Sequence, residues 1–282
     1  YAALSSNQAG DFSVAVGYGA LHAQDGGTNG VDFYNVAVGY NAGAAVTTGT
    51  LNTIIGGLAG DALTEGNHNT VLGYGALSNE TLGDRNVAVG SNALYAQNNT
   101  SDVDAYNVAV GYNVGAAVTT GVKNTLIGGL AGSSLTSGGE NVAIGYAALI
   151  SEDANGKNVA IGKSALTTQN AGADGYNVAV GYEAGKAITT GIKNTIVGGI
   201  AGDAITTVLN NTLLGYNSGG ALVGGSYNVA LGYFTLASED AHGRNVAIGW
   251  RSLQNQNAGA DAYNVAIGYD SGLTISTGVN NT

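Results

Sequence analysis

Residues 35–49 read NVAVGYNAGAAVTTG, residues 52–60 read NTIIGGLAG, and the five-residue pattern that opens both, N-[VT]-x-[VIL]-G, recurs from end to end of the chain. It starts at Asn35, Asn52, Asn69, Asn86, Asn107, Asn124, Asn141, Asn158, Asn177, Asn194, Asn211, Asn228, Asn245 and Asn264, with a variant opening at Ser13 and a truncated copy at Asn281. Most starts lie 17 residues apart. Longer steps of 22, 21, 19 and 19 residues begin at Ser13, Asn86, Asn158 and Asn245, which marks a higher-order period of about four coils. The superrepeats fall near 35–106, 107–176 and 177–263, and the third holds one additional coil, because Asn211 and Asn228 both occupy a slot filled once elsewhere. A quasi-one-dimensional stack tolerates the insertion of a whole unit.

Within NVAVG the apolar residues are short, β-branched and bounded by Asn and Gly, which favours a brief strand over a helix. A 17-residue period is too short for a helical hairpin and fits two short strands with two turns. The fold predicted is therefore all-β, a parallel β-solenoid or β-roll of about fifteen two-strand coils. The second strand is expected at segments such as 45–47 and 62–64. The Gly after the strand suits a tight corner, and the Asn before it suits left-handed geometry with its amide stacked on the next coil's Asn.

Side-chain directions follow from a coupling inside the motif. Where the second residue is Val the third is Ala, as in Val36-Ala37; where the second is Thr the third is large, as in Thr53-Ile54 and Thr125-Leu126. Alternation sends the second and fourth residues to one face and the third to the other. If the second and fourth fill the roll, the third lies outside and is apolar in every coil, which predicts packing between chains.

Composition narrows the function. Gly is 48 of 282 residues, Pro, Cys and Met are absent, and 44% of residues are hydrophobic with no G-X-Y period, so neither a collagen-like chain nor a disordered one is expected. With 8 basic and 19 acidic residues the net charge is −11, which disfavours nucleic acid or an anionic membrane surface as partner. No run of 18 apolar residues and no signal peptide is present, so no membrane insertion is expected within the segment. Tyr1 lies inside a GYAAL-like element and Thr282 inside an N-T motif, which predicts an excerpt of a longer fibre.

The NVAIG and NVAVG units resemble the head repeats of trimeric autotransporter adhesins. The fuller NVAVGYNAG and NVAIGYAAL units are still more similar to the NTAxGYxAL arrays of phage tail-fibre proteins and bacterial tail-fibre-domain proteins. The likeness runs over the whole chain. It implies a homotrimeric fibre, extracellular on a cell surface or virion, that serves in host or surface attachment. A passive filament or spacer is the alternative, and a polysaccharide-degrading spike a more distant one; no enzymatic activity is expected.

Few residues suggest chemistry. His22, His68 and His242 are scattered without ligand spacing and read as solvated turn residues. The acidic pairs Glu152-Asp153 and Glu239-Asp240 sit in equivalent SED turns and read as solvated corners rather than an acid and base pair. Asp25, Asp32, Asp102, Asp104, Asp174 and Asp261 lie in the long turns with Asn and Gly, a composition that supplies oxygen ligands for Ca²⁺ but equally makes Asx turns, so no cofactor is assigned. The candidates for recognition are the aromatics after the glycine corner: Tyr18, Tyr40, Tyr74, Tyr112, Tyr146, Tyr182, Tyr216, Tyr233, Trp250 and Tyr269. Aligned rings could meet a host glycan or protein receptor, though by default they cover the corner or fill a groove between chains. Gly57, Gly129 and Gly199 interrupt the column.

Overall fold

The computed structural model describes residues 2–7, 12–25, 30, 32–239 and 241–282; Tyr1 and Asp240, both invoked above, lie outside the described residues. The protein is an all-β parallel solenoid of about fifteen coils, and among the described residues no helix is long and apolar enough to cross a membrane. The chain divides into two units, residues 1–141 and 142–282.

In the first unit the three-residue strands Val14–Val16, Val36–Val38, Thr53–Ile55, Thr70–Leu72, Val87–Val89, Val108–Val110 and Thr125–Ile127 pair in parallel, each with the next. The second unit repeats this with Val142–Ile144, Val159–Ile161, Val178–Val180, Thr195–Val197, Thr212–Leu214, Val229–Leu231, Val246–Ile248 and Val265–Ile267. Register does not depend on coil length. Val87 pairs with Val108 across a 21-residue step as Val36 does with Thr53 across 17, so additional residues loop outward.

A buried amide ladder holds this register. Each Asn that opens a coil is fully or almost fully buried. Its Oδ1 accepts the backbone N–H of the next Asn, as from Asn52 to Asn35 (2.9 Å) and Asn194 to Asn177 (2.9 Å). In most coils its Nδ2 donates to a carbonyl that closes the same coil, as from Asn35 to Gly49 (2.7 Å) and Asn177 to Gly191 (2.8 Å), whereas Asn86 and Asn245 donate to the preceding ladder Asn. The ladder was expected, but the left-handed residue is the one before the Asn: Tyr34, Leu51, His68 and Arg85 have φ of 53°, 60°, 58° and 58°. There the chain turns, and the Asn side chain enters the core.

Two expectations are corrected. The second strand at 45–47 and 62–64 does not form; both segments are turns. Left-handed residues at Asn41 and Gly43, and at Leu58 and Gly60, break the alternation a strand needs. The backbone still bonds to the next coil, as from Ala45 N–H to Asp61 (3.1 Å) and Thr47 N–H to Thr64 (2.9 Å). Among the described residues a second strand pair occurs at Gly83–Asp84 with Val103–Asp104.

The faces are also reversed. The third residue of the motif, Ala37, Ile54, Val71 or Leu126, is fully buried inside the roll, while the second and fourth face outward, with Leu72, Ile127 and Leu214 exposed. Parity is set by the Asn, which must bury its amide in the ladder and so draws the third residue inward with it. Bulk at the third position is traded inside the core against the ninth. A Cβ on Gly43 would lie 2.9 Å from Ile54 Cδ1 and 3.1 Å from Leu21 Cδ2, and one on Gly115 2.7 Å from Leu126 Cδ1 and 3.1 Å from Leu94 Cδ2. Large side chains of neighbouring coils thus fill the room that Ala and Gly leave.

Replacing Asn177 by Ala strips the Gly191 carbonyl, the Gln169 Oε1 and the Asn194 N–H of their buried partner. The expected loss is about 2–4 kcal/mol of stability, read from the urea unfolding midpoint.

Candidate recognition surface and buried carboxylates

The recognition column is built by the corner that ends each strand. Gly39 has φ 144° and Gly73 φ 139°, and a Cβ on Gly73 would stand 2.4 Å from the Gly90 carbonyl of the next coil, so glycine is required there. The corner turns the following side chain outward. All ten predicted aromatics are 41–73% exposed, so none is consumed as core. Where consecutive coils both carry a ring the rings stack: Tyr18 on Tyr40 at 5.6 Å, Tyr216 on Tyr233 at 5.6 Å, Tyr233 on Trp250 at 4.4 Å and Trp250 on Tyr269 at 6.4 Å, with interplanar angles of 11–17°. Tyr74, Tyr112, Tyr146 and Tyr182 stand apart from this stacking, and Lys163 lies over Tyr182 at 5.5 Å.

Gly57 leaves one face of Tyr74 uncovered, since a Cβ there would lie 3.6 Å from the ring; Gly199 stands in the same relation to Tyr216 at 3.5 Å. Beside Tyr74 opens a cleft of about 550 Å³, lined in part by Leu58, Asp61, Asn79, Asn92 and Tyr95. A second of about 390 Å³ lies beside Tyr18 and Tyr40, with His22 and Asn41 in its wall. Burial raises the Asp61 carboxyl above its ordinary range, and its Oδ1 has no hydrogen-bond partner.

A second aromatic column escaped the sequence reading. Tyr34, Tyr106, Tyr176, Tyr227 and Tyr263 precede the ladder Asn in left-handed geometry and are about half exposed. Cations of the same column lie over these rings: Arg85 over Tyr106 at 5.7 Å, Lys157 over Tyr176 at 5.3 Å, and Arg244 over Tyr227 and Tyr263 at 5.1 and 5.5 Å. The recurring Tyr-Asn dipeptide was its signal.

These cations also hold long-turn aspartates. Lys157 pairs with Asp174 at 2.6 Å, Arg244 with Asp261 at 2.8 Å, and Arg85 with Asp104. The hydrogen bond from Lys157 holds the Asp174 carboxyl below its ordinary range, as Arg244 does for Asp261. Among the described residues no group of three or more His, Asp or Glu side chains could hold a metal ion, and Asp102 is exposed. His22 Nδ1 lies 2.6 Å from Ser5 Oγ and His68 is exposed, whereas His242 is half-buried, 3.7 Å from Glu239.

The SED turns differ from expectation. Glu152 and Glu239 are fully buried while Asp153 is exposed, so the paired residues at 152 and 153 face opposite ways and do not converge on one cleft. The glutamates occupy the twelfth place of the coil, where other coils put Val46, Leu63 or Ile188, and a Gln stands at the same place one coil later. Glu80, which the sequence reading passed over, shows the complete form. Its Oε1 accepts the N–H groups of Thr81, Leu82, Gly83 and Asn99, and its Oε2 the amides of Gln97 (2.8 Å) and Asn99 (2.9 Å). In contrast, Glu152 Oε2 and Gln169 Nε2 have no partner, and burial raises the Glu152 carboxyl.

No protein-family model matches the chain, and no curated protein is significantly similar to it in sequence.

A carboxyl whose value is raised in the fold is ionised first in the unfolded chain, so stability falls as pH rises from the ordinary glutamate range through the raised value. Glu152→Gln is expected to raise the urea midpoint at neutral pH and to flatten that decline, leaving stability at pH 4 nearly unchanged.

Proposed function

We propose that the chain is a structural and attachment segment of an extracellular fibre, part of a homotrimer of the kind its repeats resemble in phage tail fibres and bacterial surface adhesins. The observation that carries this reading is the outside of each unit, where an apolar sheet face runs beside a column of exposed rings. Val14, Val16, Leu72 and Ile127 in the first unit, and Leu214, Val265 and Ile267 in the second, present exposed β-branched and long apolar side chains on this face, while the corresponding residues of most coils between them are half-buried. A face of that kind is suited to burial against further copies of itself.

The aromatic column serves a different purpose on this reading. Stacked rings with hydroxyl tips offer many equivalent weak contacts, and three parallel copies would convert them into durable attachment to a host-surface glycan or protein receptor. An acidic chain of net charge −11 repels nucleic acid and anionic lipid, which favours a neutral ligand.

Two measurements test the proposal. Sedimentation of the purified segment is expected to give three chains per particle, and Leu72→Asp with Ile127→Asp is expected to give monomers with an unchanged far-ultraviolet circular dichroism spectrum. Cell-surface binding of the oligomer is expected to weaken about tenfold or more when Tyr233, Trp250 and Tyr269 are all changed to Ala. A stable wild-type monomer overturns the trimer, and undiminished binding by the triple variant removes the aromatic column from attachment. If the oligomer binds no surface at all, the segment is a spacer.

A further inference from the structure

We propose that the cleft beside Tyr74 is a binding site for a neutral pyranose sugar, which stacks on Tyr74 and Tyr95 and hydrogen-bonds to Asp61, Asn79 and Asn92. As an account of what the fibre would hold, it rests on the attachment reading; its geometry is local to the first unit.

Space is the first argument. The cleft measures about 550 Å³ and is open to solvent, a volume typical of sites that take small ligands. Its two rings come from different places in the coil. Tyr74 follows a glycine corner, and the glycine at the same place one coil earlier, Gly57, leaves its ring uncovered, so that any side chain there would sit on the stacking face. Tyr95 arises four residues after Ser91, and its ring lies 3.7 Å from where a Cβ on Gly75 would stand. A pyranose has one face of C–H groups and a rim of hydroxyls. The C–H face suits the electron-rich face of a tyrosine ring, and the rim needs both donors and acceptors.

The polar lining supplies both. The Asn79 and Asn92 amides each offer a donor and an acceptor, with the Asn92 Nδ2 already given to Asn113 (3.1 Å). Asp61, half-buried in the wall of the cleft, offers only acceptors, and these suit a hydroxyl donor. No Lys or Arg lines the cleft, so a phosphate, sulfate or acidic sugar would meet the Asp61 charge with nothing to offset it. Asp61 is also the cleft's sole carboxylate, too few for a divalent cation.

Repetition supplies an internal comparison. In the second superrepeat Ser133 stands in the place of Asp61 and Thr167 in that of Tyr95; the third keeps Asp203 and Tyr216 but, with its inserted coil, has Ala237 in the place of Tyr95. A structural requirement of the coil would impose these residues in every superrepeat. Their coincidence in one marks a departure from the repeat that the fold does not need.

Saturation-transfer NMR on the full chain, with the methyl glycosides of glucose, galactose, mannose and N-acetylglucosamine as probes, tests the site. At least one glycoside is expected to receive saturation on its ring-face protons. Asp61→Ala and Tyr95→Thr should each weaken it about tenfold or more at an unchanged urea midpoint, and the shape-preserving Asp61→Asn should weaken it less. Sialyllactose should bind more weakly than the neutral probes. The proposal is overturned if no glycoside responds, or if the response survives both Asp61→Ala and Tyr95→Thr. Cell binding by the oligomer is scored separately. Adhesion without cleft-dependent glycoside binding ends this proposal and spares the attachment reading; cleft-dependent glycoside binding without adhesion does the reverse.

Discussion

The buried asparagine ladder is the interaction on which the rest of each unit depends. An amide fully removed from water must find both a donor and an acceptor, and the geometry offers them at one place: the backbone N–H of the next ladder Asn and a carbonyl near the end of its own coil. A coil that slipped by one residue would leave an amide, a carbonyl and an N–H unpaired at once. Coils of 17, 19 and 21 residues therefore return to the same point of the cross-section, and additional residues are pushed outward. Because consecutive amides are joined, the cost of an error at one level is felt at its neighbours.

Return to a common point also sets the outside. The glycine corner stands the same way above each strand, so rings planted after it on consecutive coils fall into register and stack with small interplanar angles. The backbone accepts many left-handed non-glycine residues, Leu77 and Leu94 among them, a conformation that costs an isolated L-residue roughly 1–2 kcal/mol. Both leucines are fully buried, and the burial of such a side chain, about 1.5–3 kcal/mol, offsets that cost.

Repetition and departure from it divide the work. What recurs at every coil, the ladder, the corner and the small-against-large core, is explained by stacking. What occurs once, such as Asp61, Tyr74 and Tyr95 lining one cleft from three consecutive coils, is not. The long turns lie between these cases: a cation before the ladder Asn meets an aspartate of the following turn at Lys157 and Asp174 and again at Arg244 and Asp261, so these excursions are tied down where they rejoin the roll.

The sequence by itself determined the solenoid, its period, its ladder and its exposed ring column, because each is a consequence of N-[VT]-x-[VIL]-G recurring at a near-constant step. Alternation along the strand was also legible, but not its sense: Val36, Ala37 and Val38 are all apolar, so hydrophobicity cannot say which of them faces in. Only the closed roll decides it, through the Asn amide that must be buried and the Gly43 and Gly115 positions that leave room for Ile54 and Leu126. Likewise Glu152 looks like a solvated corner in a linear reading and becomes a buried carboxyl because the coil's twelfth place points inward whatever residue fills it. The cleft was invisible for the same physical reason: Asp61, Tyr74 and Tyr95 are separated along the chain by whole coils and meet only where the stack brings successive levels together.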